Sequence, residues 1–472
     1  MRIYTGSEKE SGMKKIIIIS ILTFSLFDFL FAMSKTKMYD SYTQRRNAFI
    51  EIAQEKDGLV IFHSAPIRNR NNDVDYFYRQ SSNFIYLTGW DEPEAILVIN
   101  PSSKNGKIVQ LFVLEKNPTI EVWTGKRRGV ESAMSLDGID TAYAYSEFSD
   151  MLNGFMYPKN TLILDDGGDK EFKELISNKL TEIGMRGPQT IINASAITSK
   201  MRLIKSPTEI ASLQKAIDIT GESLVDAWAD VTNCAYEYEV EALIEYGFRK
   251  RGSARNGFPS IVGSGFNATI LHYDTNQDTL TTNGLIVTDI GAEWDNYSAD
   301  ITRTIPSNGK FSKAQTEIYQ LVLEAQKAAI DVIKPGVSWR ETHREAQRVI
   351  TIGLIQLELL SGDLDSLLEA NACRKYFLHG TSHWLGLDVH DVGGYLDDNK
   401  EEIKFEKGMV LTVEPGLYFR QDNSVPKEYW GMGVRIEDDI LVTKKGHIIL
   451  SEKIPKEIQD IERIVQNNAS KH

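Results

Sequence analysis

Three of the eight histidines in this chain of 472 residues fall inside one run, HGTSHWLGLDVHDVGG, from His379 to Gly394. Imidazole can hold a divalent metal or move a proton near neutral pH, so His379, His383 and His390 are candidates for either task. Nearby carboxylates extend the case. Asp289 ends the apolar run LIVTD, Asp300 lies in SADITRT, Glu414 in VLTVEPG and Glu437 in VRIEDD. A buried carboxylate in an apolar strand must find a cation or a hydrogen-bond donor. Any one of the four reads by itself as a solvent-exposed acid at a turn or an edge. Taken together beside histidines they would repel one another, and so require a cationic partner.

Carboxylates with one imidazole make an oxygen-rich donor set, which favours manganese, magnesium or cobalt over a thiolate-type zinc centre. Two divalent ions would balance four carboxylates. Held roughly 3.5–4 Å apart, such a pair can keep a hydroxide between them and polarise a substrate carbonyl. The helical H-E-x-x-H zinc signature is absent, because Gly380 follows His379. His63, His343 and His447 match no motif and receive no role.

The scaffold must bring these groups together. Asp300 follows Asp289 after a connection of hairpin length, so adjacent strands can place both at one spot. The period of two puts Thr412 with Glu414 on one face, and Arg435 with Glu437 on another. Strands are expected over GLIVTDIGAEW, YSADITRTIP, GMVLTVEPGLYF, GVRIEDDILVT and GHIIL. A long helix is expected over FSKAQTEIYQLVLEAQKAAIDVIKPG, and another opening on a capping box of Ser338 and Glu341. Grouped helices and strands predict an α+β domain with a largely antiparallel sheet flanked by helices. The segments NGLIVTDIG and KGMVLTVEPG are alike, but no fixed-period repeat accompanies them.

A chain longer than about 250–300 residues is expected to form more than one domain. Ser206, Pro207 and Glu209 supply a cap, a first helical residue and a capping-box partner, so a second domain is read over 205–472. Before it, over 39–204, the runs GLVIF, NFIYLTG, EAILVIN, KIVQLFVLE and TLILDDGG read as strands with helices between, an α/β domain. DDGGDK reads as a turn after a strand and not as a phosphate-binding loop.

The composition is that of an ordinary globular protein, 42% hydrophobic and 25% charged. The charge, 53 − 66 = −13, argues against nucleic acid as a partner. Only Cys234 and Cys373 are present, outside any C-x-x-C pattern, which favours a reducing compartment and a cytoplasmic location. Residues 1–38 leave two readings open. Lys14 and Lys15 precede the apolar run IIIISILTFSLFDFLFA, as in a secretory signal or short membrane anchor, yet Met33 and Met38 stand just ahead of a natural first helix, as if the start were misassigned.

Five stretches carry a family resemblance: ILHYD, TDIGAEWDNYSADITRT, HGTSHWLGLDVHDVGG, LTVEPGLY and GVRIEDD resemble the pita-bread metallopeptidases, and within them the aminopeptidase P group. The likeness runs from about Tyr42 and includes YRQSSNFIYLTGWDEPEAILVI in the first domain. It implies an α/β N-terminal domain followed by a pita-bread catalytic domain. It implies a dinuclear centre, with two Mn²⁺ ions as the expected pair, held by Asp289, Asp300, His383, Glu414 and Glu437. It implies that His272, His379 and His390 bind substrate and handle protons, that Glu414 shuttles a proton, and that Arg435 orients a carboxylate or the substrate. Tyr395 matches an accessory substrate-binding position. Trp123 matches a residue that reaches into a neighbouring subunit's site, which implies a homo-oligomer, dimer or tetramer.

The implied activity is release of the N-terminal residue from peptides with proline second. A prolidase, confined to Xaa-Pro dipeptides, shares the fold and metals and is the alternative. A methionine aminopeptidase would not need so large a first domain, and a non-catalytic relative would have lost ligands that this chain keeps.

Overall fold

A computed structural model describes residues 42–397 and 399–469. The chain divides into two units, the first ending at Thr198 and the second starting at Ser199. The apolar run 16–32, and with it the choice between its two readings, lies outside the described residues. Among the described residues no helix is long and apolar enough to cross a membrane.

The first unit is built on a mixed sheet. Its strands are β1 (Gly58–His63), β2 (Ile96–Ile99), β3 (Val109–Val113), β4 (Thr141–Ala144), β5 (Thr161–Asp165) and β6 (Thr190–Asn193), ordered β4-β3-β2-β1-β5-β6. β2 pairs antiparallel with β1 and β3, whereas β1 with β5, β3 with β4 and β5 with β6 are parallel. Strands β1 to β3 are buried throughout, which is why they read as continuous apolar runs. Phe148, Leu152 and Phe155 from one helix and Phe172 and Ile176 from another pack against Leu59, Ile61, Val98 and Phe112. His63 belongs to this core: its Nε2 lies 2.9 Å from the Tyr145 hydroxyl and its ring stacks on Phe172. DDGGDK turns after β5, and Asp169 caps the next helix by accepting the Phe172 N–H at 3.1 Å.

NFIYLTG departs from its expected strand and forms a helix, Ser82–Thr88. Phe84, Ile85, Tyr86 and Leu87 are all buried, and a short run that is apolar on every side carries no period to separate helix from strand. Gly89 ends it at φ 63°, where a Cβ would meet the Tyr42 ring at 2.6 Å.

The second unit runs through one order of elements twice. Helices Pro207–Trp228 and Glu237–Lys250 precede β7 (Ile261–Ser264), β8 (Leu285–Ile290) and β9 (Ile301–Pro306). Helices Lys313–Asp331 and Glu341–Gln356 precede β10 (Val410–Val413), β11 (Gly416–Phe419), β12 (Met432–Arg435), β13 (Asp438–Val442) and β14 (His447–Ile449). Among the described residues its strand pairs are antiparallel: β8 with β7 and β9, β13 with β10 and β14, and β11 with β12. The two look-alike segments fall on β8 and β10. The expected box at Ser206 forms, with Glu209 Oε2 accepting the Ser206 N–H at 2.9 Å. The one expected at Ser338 does not: the helix begins at Glu341 behind Arg340 without a side-chain cap, while the Ser338 hydroxyl donates to Glu402 Oε2 at 2.5 Å and accepts the Arg340 N–H at 3.3 Å.

Two segments read as single strands are each broken. GMVLTVEPGLYF splits between β10 and β11 at Glu414 and Pro415, where proline cannot donate to a ladder. GVRIEDDILVT splits between β12 and β13 at Ile436 and Glu437. The halves change partners at the breaks, β10 pairing with β13 and β11 with β12. Glu414 and Glu437 therefore sit between strands instead of within them, and only Asp289 lies inside one.

The second break is locked by a buried charge cluster. Arg303, on β9, donates from Nη2 to Asp438 Oδ1 at 2.8 Å and also bonds the carbonyls of Glu437, Ile454 and Pro455. Ser451 Oγ at 2.6 Å, Gln326 Nε2 at 3.0 Å and Lys456 Nζ complete the shell of Asp438. Burial alone would raise the Asp438 pKa, but Arg303 and Lys456 hold it well below the usual range. Its stabilisation is therefore present above about pH 4 and lost as pH falls through the depressed value. Asp438→Asn should cost about 3–5 kcal/mol at pH 7 by stranding buried cations. Thermal melts check this, and the gap from the parent protein should narrow in acid.

Candidate metal centre

Asp289, Asp300, His383, Glu414 and Glu437 line one cavity of about 230 Å³ in the second unit, together with His272, His379, His390 and Arg435. Local pairing explains how. On β8, Asp289 stands opposite Thr302 of β9, and the intervening hairpin of Glu293–Trp294 with Tyr297–Ser298 returns the chain to Asp300. That hairpin turns on Asp295 and Asn296, both at positive φ, as a tight two-residue turn requires. HGTSH is extended, not helical. Its backbone runs antiparallel beside β10, with Glu414 N–H on Thr381 O at 2.8 Å, Thr412 N–H on His383 O at 3.0 Å and Leu385 N–H on Val410 O at 3.1 Å. This ladder sets His383 next to Glu414.

The His383 ring is oriented by Trp384 O, 3.0 Å from Nδ1. A carbonyl only accepts, so Nδ1 carries the proton and Nε2 keeps its lone pair for the cavity, 3.3 Å from Asp300 Oδ2 and 3.5 Å from Glu414 Oε1. Ligand atoms of Asp300, His383 and Glu437 all lie within 4.8 Å of one another.

Arg435 ties the acids together. Its Nη2 lies 2.6 Å from Asp289 Oδ2, and its Nε donates to Thr302 Oγ1 at 3.1 Å, which in turn donates to Glu437 Oε2 at 2.7 Å. Its Nη1 donates at 3.0 Å to the buried Tyr418 hydroxyl, which lies 2.8 Å from His379 Nε2. Because His379 Nδ1 is held by Gly380 O at 2.8 Å, Nε2 accepts from Tyr418. Burial and the Arg435 charge push the His379 pKa down to about 3. His379 is thus a member of a hydrogen-bonded chain that runs through Tyr418 to Arg435. His272 and His390 are exposed at the cavity and also border a second, more apolar hollow walled by Phe258, Pro259, Ile261 and Val389. Burial and the neighbouring His383 lower the His390 pKa.

The acids lack the charge that would suit them. Burial, then Asp289, raises the Asp300 pKa; burial, then Asp300, raises that of Glu437; burial and Asp289 raise that of Glu414. Asp289 Oδ1 is buried without a hydrogen-bond partner. A site of crowded carboxylates, one prepared imidazole and an unsatisfied oxygen fits divalent cations.

Two sequence candidates lie elsewhere. The Tyr395 ring packs between Trp339 and Trp384, with centroids 4.2 and 5.9 Å away, and is not part of the cavity wall. Trp123 is on helix Pro118–Thr124 of the first unit and is 86% exposed. Further residues complete the site. Thr302 was within reach of the period-two argument, being two residues past Asp300. Tyr418 needed the β11–β12 register, which pairs it with Gly433 and so sets it diagonal to Arg435. Asp439, whose Oδ2 accepts the Asp300 N–H at 3.2 Å, and His343, whose Nδ1 lies 2.9 Å from Thr381 Oγ1, are tertiary contacts without a local signal.

Residues 211–444 match the profile of metallopeptidase family M24, and residues 42–164 that of the aminopeptidase P N-terminal domain. The chain is 39% identical over 435 residues to the Xaa-Pro aminopeptidase of Escherichia coli, covering 90% of this chain and 97% of that protein. It is 40% identical over 430 residues to the Haemophilus influenzae Xaa-Pro aminopeptidase, with the same coverage. Among solved structures, Pseudomonas aeruginosa aminopeptidase PepP superposes with TM-score 0.87 at 38% identity, over 92% of this chain and 99% of that one. A substrate complex of an Escherichia coli aminopeptidase P variant gives TM-score 0.86 at 37% identity, over 92% and 99%. With both halves of the chain matched in order and the divalent-cation donors gathered in one cavity, the chain belongs to metallopeptidase family M24, among the aminopeptidase P enzymes.

Proposed function

We propose that the chain is an Xaa-Pro aminopeptidase that hydrolyses the bond between the first residue of a peptide and a proline in second position, using two divalent metal ions, most suitably Mn²⁺. The reading is carried by the convergence of Asp289, Asp300, His383, Glu414 and Glu437 in one cavity, in a chain that aligns with 97% of the Escherichia coli Xaa-Pro aminopeptidase. These five residues would hold the metals. When bound, the metals supply Lewis acidity and make water a nucleophile at neutral pH.

The protein's own groups supply the rest. Glu414 is half-buried at the cavity wall, where its carboxylate would accept the proton of the attacking water and pass it on. The recipient is the prolyl nitrogen, which carries no hydrogen in the peptide and leaves only when protonated. His390 and His272, with rings open to the cavity, would bind the substrate carbonyl, a donor of this kind being worth about 2.7–4 kcal/mol in the transition state. Arg435, through Tyr418, keeps His379 neutral and in place beside Glu414, whose Oε2 is 3.6 Å from His379 Nδ1. Tyr395 would act through its aromatic stack.

Trp123 sits on a short helix that buries none of its residues, together with exposed Val122. We assign that apolar face to contact with another copy in a homo-oligomer, dimer or tetramer. The unpaired thiols of Cys234 and Cys373 suit a cytoplasmic enzyme.

With Mn²⁺ supplied, an Ala-Pro-Ala tripeptide should be cleaved to alanine and Pro-Ala. Exclusive cleavage of an Ala-Pro dipeptide would make the protein a prolidase instead. His383→Ala should lower bound metal, measured by plasma mass spectrometry, whereas His390→Ala should keep the metal and lose turnover. Glu414→Gln should lower kcat by about 10²–10⁴-fold, the range of a general acid–base group. Light scattering of Trp123→Ala should show a smaller assembly than the parent protein.

A further inference from the structure

His390 stands on a loop, its ring is exposed, and among the described residues no hydrogen bond fixes its imidazole. Its ring lies edge-on to that of His383, with centroids 4.2 Å apart at 63°. Whatever holds this histidine at the metal centre must act through the backbone on either side. Two residues before it is Asp388, and directly after it is Asp391 at the base of the loop.

Both aspartates are gripped from the N-terminal edge of the same unit. Arg202 Nη2 lies 2.7 Å from Asp388 Oδ2 and also contacts Asp391 Oδ1. Lys205 Nζ lies 3.0 Å from Asp391 Oδ2. Arg202 is 2%, Lys205 4% and Asp391 8% exposed, so two cations and two carboxylates form a balanced and largely buried cluster. The loop is shaped around it. Asp391 N–H donates to Trp384 O at 2.8 Å, closing the loop at its neck, and Gly386 O accepts the Ser298 N–H at 2.9 Å. Gly386 has no room for a side chain: a Cβ would stand 2.2 Å from Asp391 Oδ2 and 3.1 Å from Lys205 Cε. Buried ion clusters are seldom a net source of stability over apolar packing, and their best-attested use is to select one arrangement.

We propose that Arg202 and Lys205 are positioning residues for His390, gripping Asp388 and Asp391 on its two sides so that the imidazole stays aligned with the metal centre. This rests on the reading of His390 as a substrate-binding group. Arg202 and Lys205 act on the reaction through the placement of the loop that carries that ring. A displacement of about 1 Å in such a group can cost up to 10²-fold in rate.

The test is a double-mutant cycle on metal-loaded enzyme with Ala-Pro-Ala as substrate. Asp388→Asn is the primary variant, because its carboxylate is partly exposed and its loss leaves Arg202 and Lys205 paired with Asp391. Lys205→Met is the second variant. Each should lower kcat by on the order of 10-fold with metal content unchanged, and neither should lower activity further when added to His390→Ala, since residues acting as a unit are not additive. Arg202→Lys, which keeps the cation, should retain more activity than Arg202→Met. An equal fold-loss with and without His390, or no loss from Asp388→Asn in the parent enzyme, would overturn the clamp while leaving the assigned role of His390 intact. Parent-like turnover in His390→Ala would overturn that role and the clamp with it.

Discussion

Negative charge concentrated away from water governs this molecule. Four carboxylates share one cavity with a single guanidinium, and the burial and mutual repulsion that raise the proton affinity of Asp300, Glu414 and Glu437 are both consequences of that crowding. A fold that tolerates such a site must be stable enough elsewhere to hold the acids in place before any counter-ion arrives. The second unit meets this demand with fully buried strands and with a separate charge cluster, at Arg303 and Asp438, that is neutralised within the protein. One group of buried acids is satisfied by the chain; the other is left for a cation.

The local devices follow from the same demand. Continuous strands would have carried Glu414 and Glu437 out along their sheets, whereas breaks after β10 and β12 let each acid turn into the cavity. Arg435 then serves two purposes with one planar group: it reaches Asp289 directly and Glu437 through Thr302, and it polarises Tyr418 toward His379. A point-charge ammonium could not make these three directed contacts. The His383 ring is held by a main-chain carbonyl, so its tautomer does not depend on the metal.

Much of this was legible in the chain itself. The run LIVTD announces an acid in a buried strand, and the capping box at Ser206 marks the start of the catalytic helices. The spacing of Asp289 and Asp300 was enough to pair them. What failed had physical reasons. NFIYLTG is apolar all round, so its period is silent. At Ser338 the hydroxyl accepts the Arg340 N–H instead of that of Glu341, and the helix starts later than its cap signal places it. The strand breaks at Glu414 and Glu437 depend on which sheet each half joins, and the Arg435, Tyr418 and His379 chain depends on register across β11 and β12. Contacts among residues far apart in sequence, such as Arg202 with Asp391, leave no local trace.

The ladder between 381–385 and β10 has a consequence for how such a chain can vary. Side chains alternate along it, so a slip of one residue in either strand would turn that strand's own member of the pair, His383 or Glu414, away from the cavity. Length changes within 381–385 or 410–414 are therefore intolerable. Within the connection between them, Ile403 N–H returns to Tyr395 O at 3.2 Å, and none of the described residues between those two lines the cavity. Lengthening a surface loop costs little, about 0.6 kcal/mol for each doubling. A change of length there leaves the pairing of 381–385 with β10, and so the placement of His383 and Glu414, as it is.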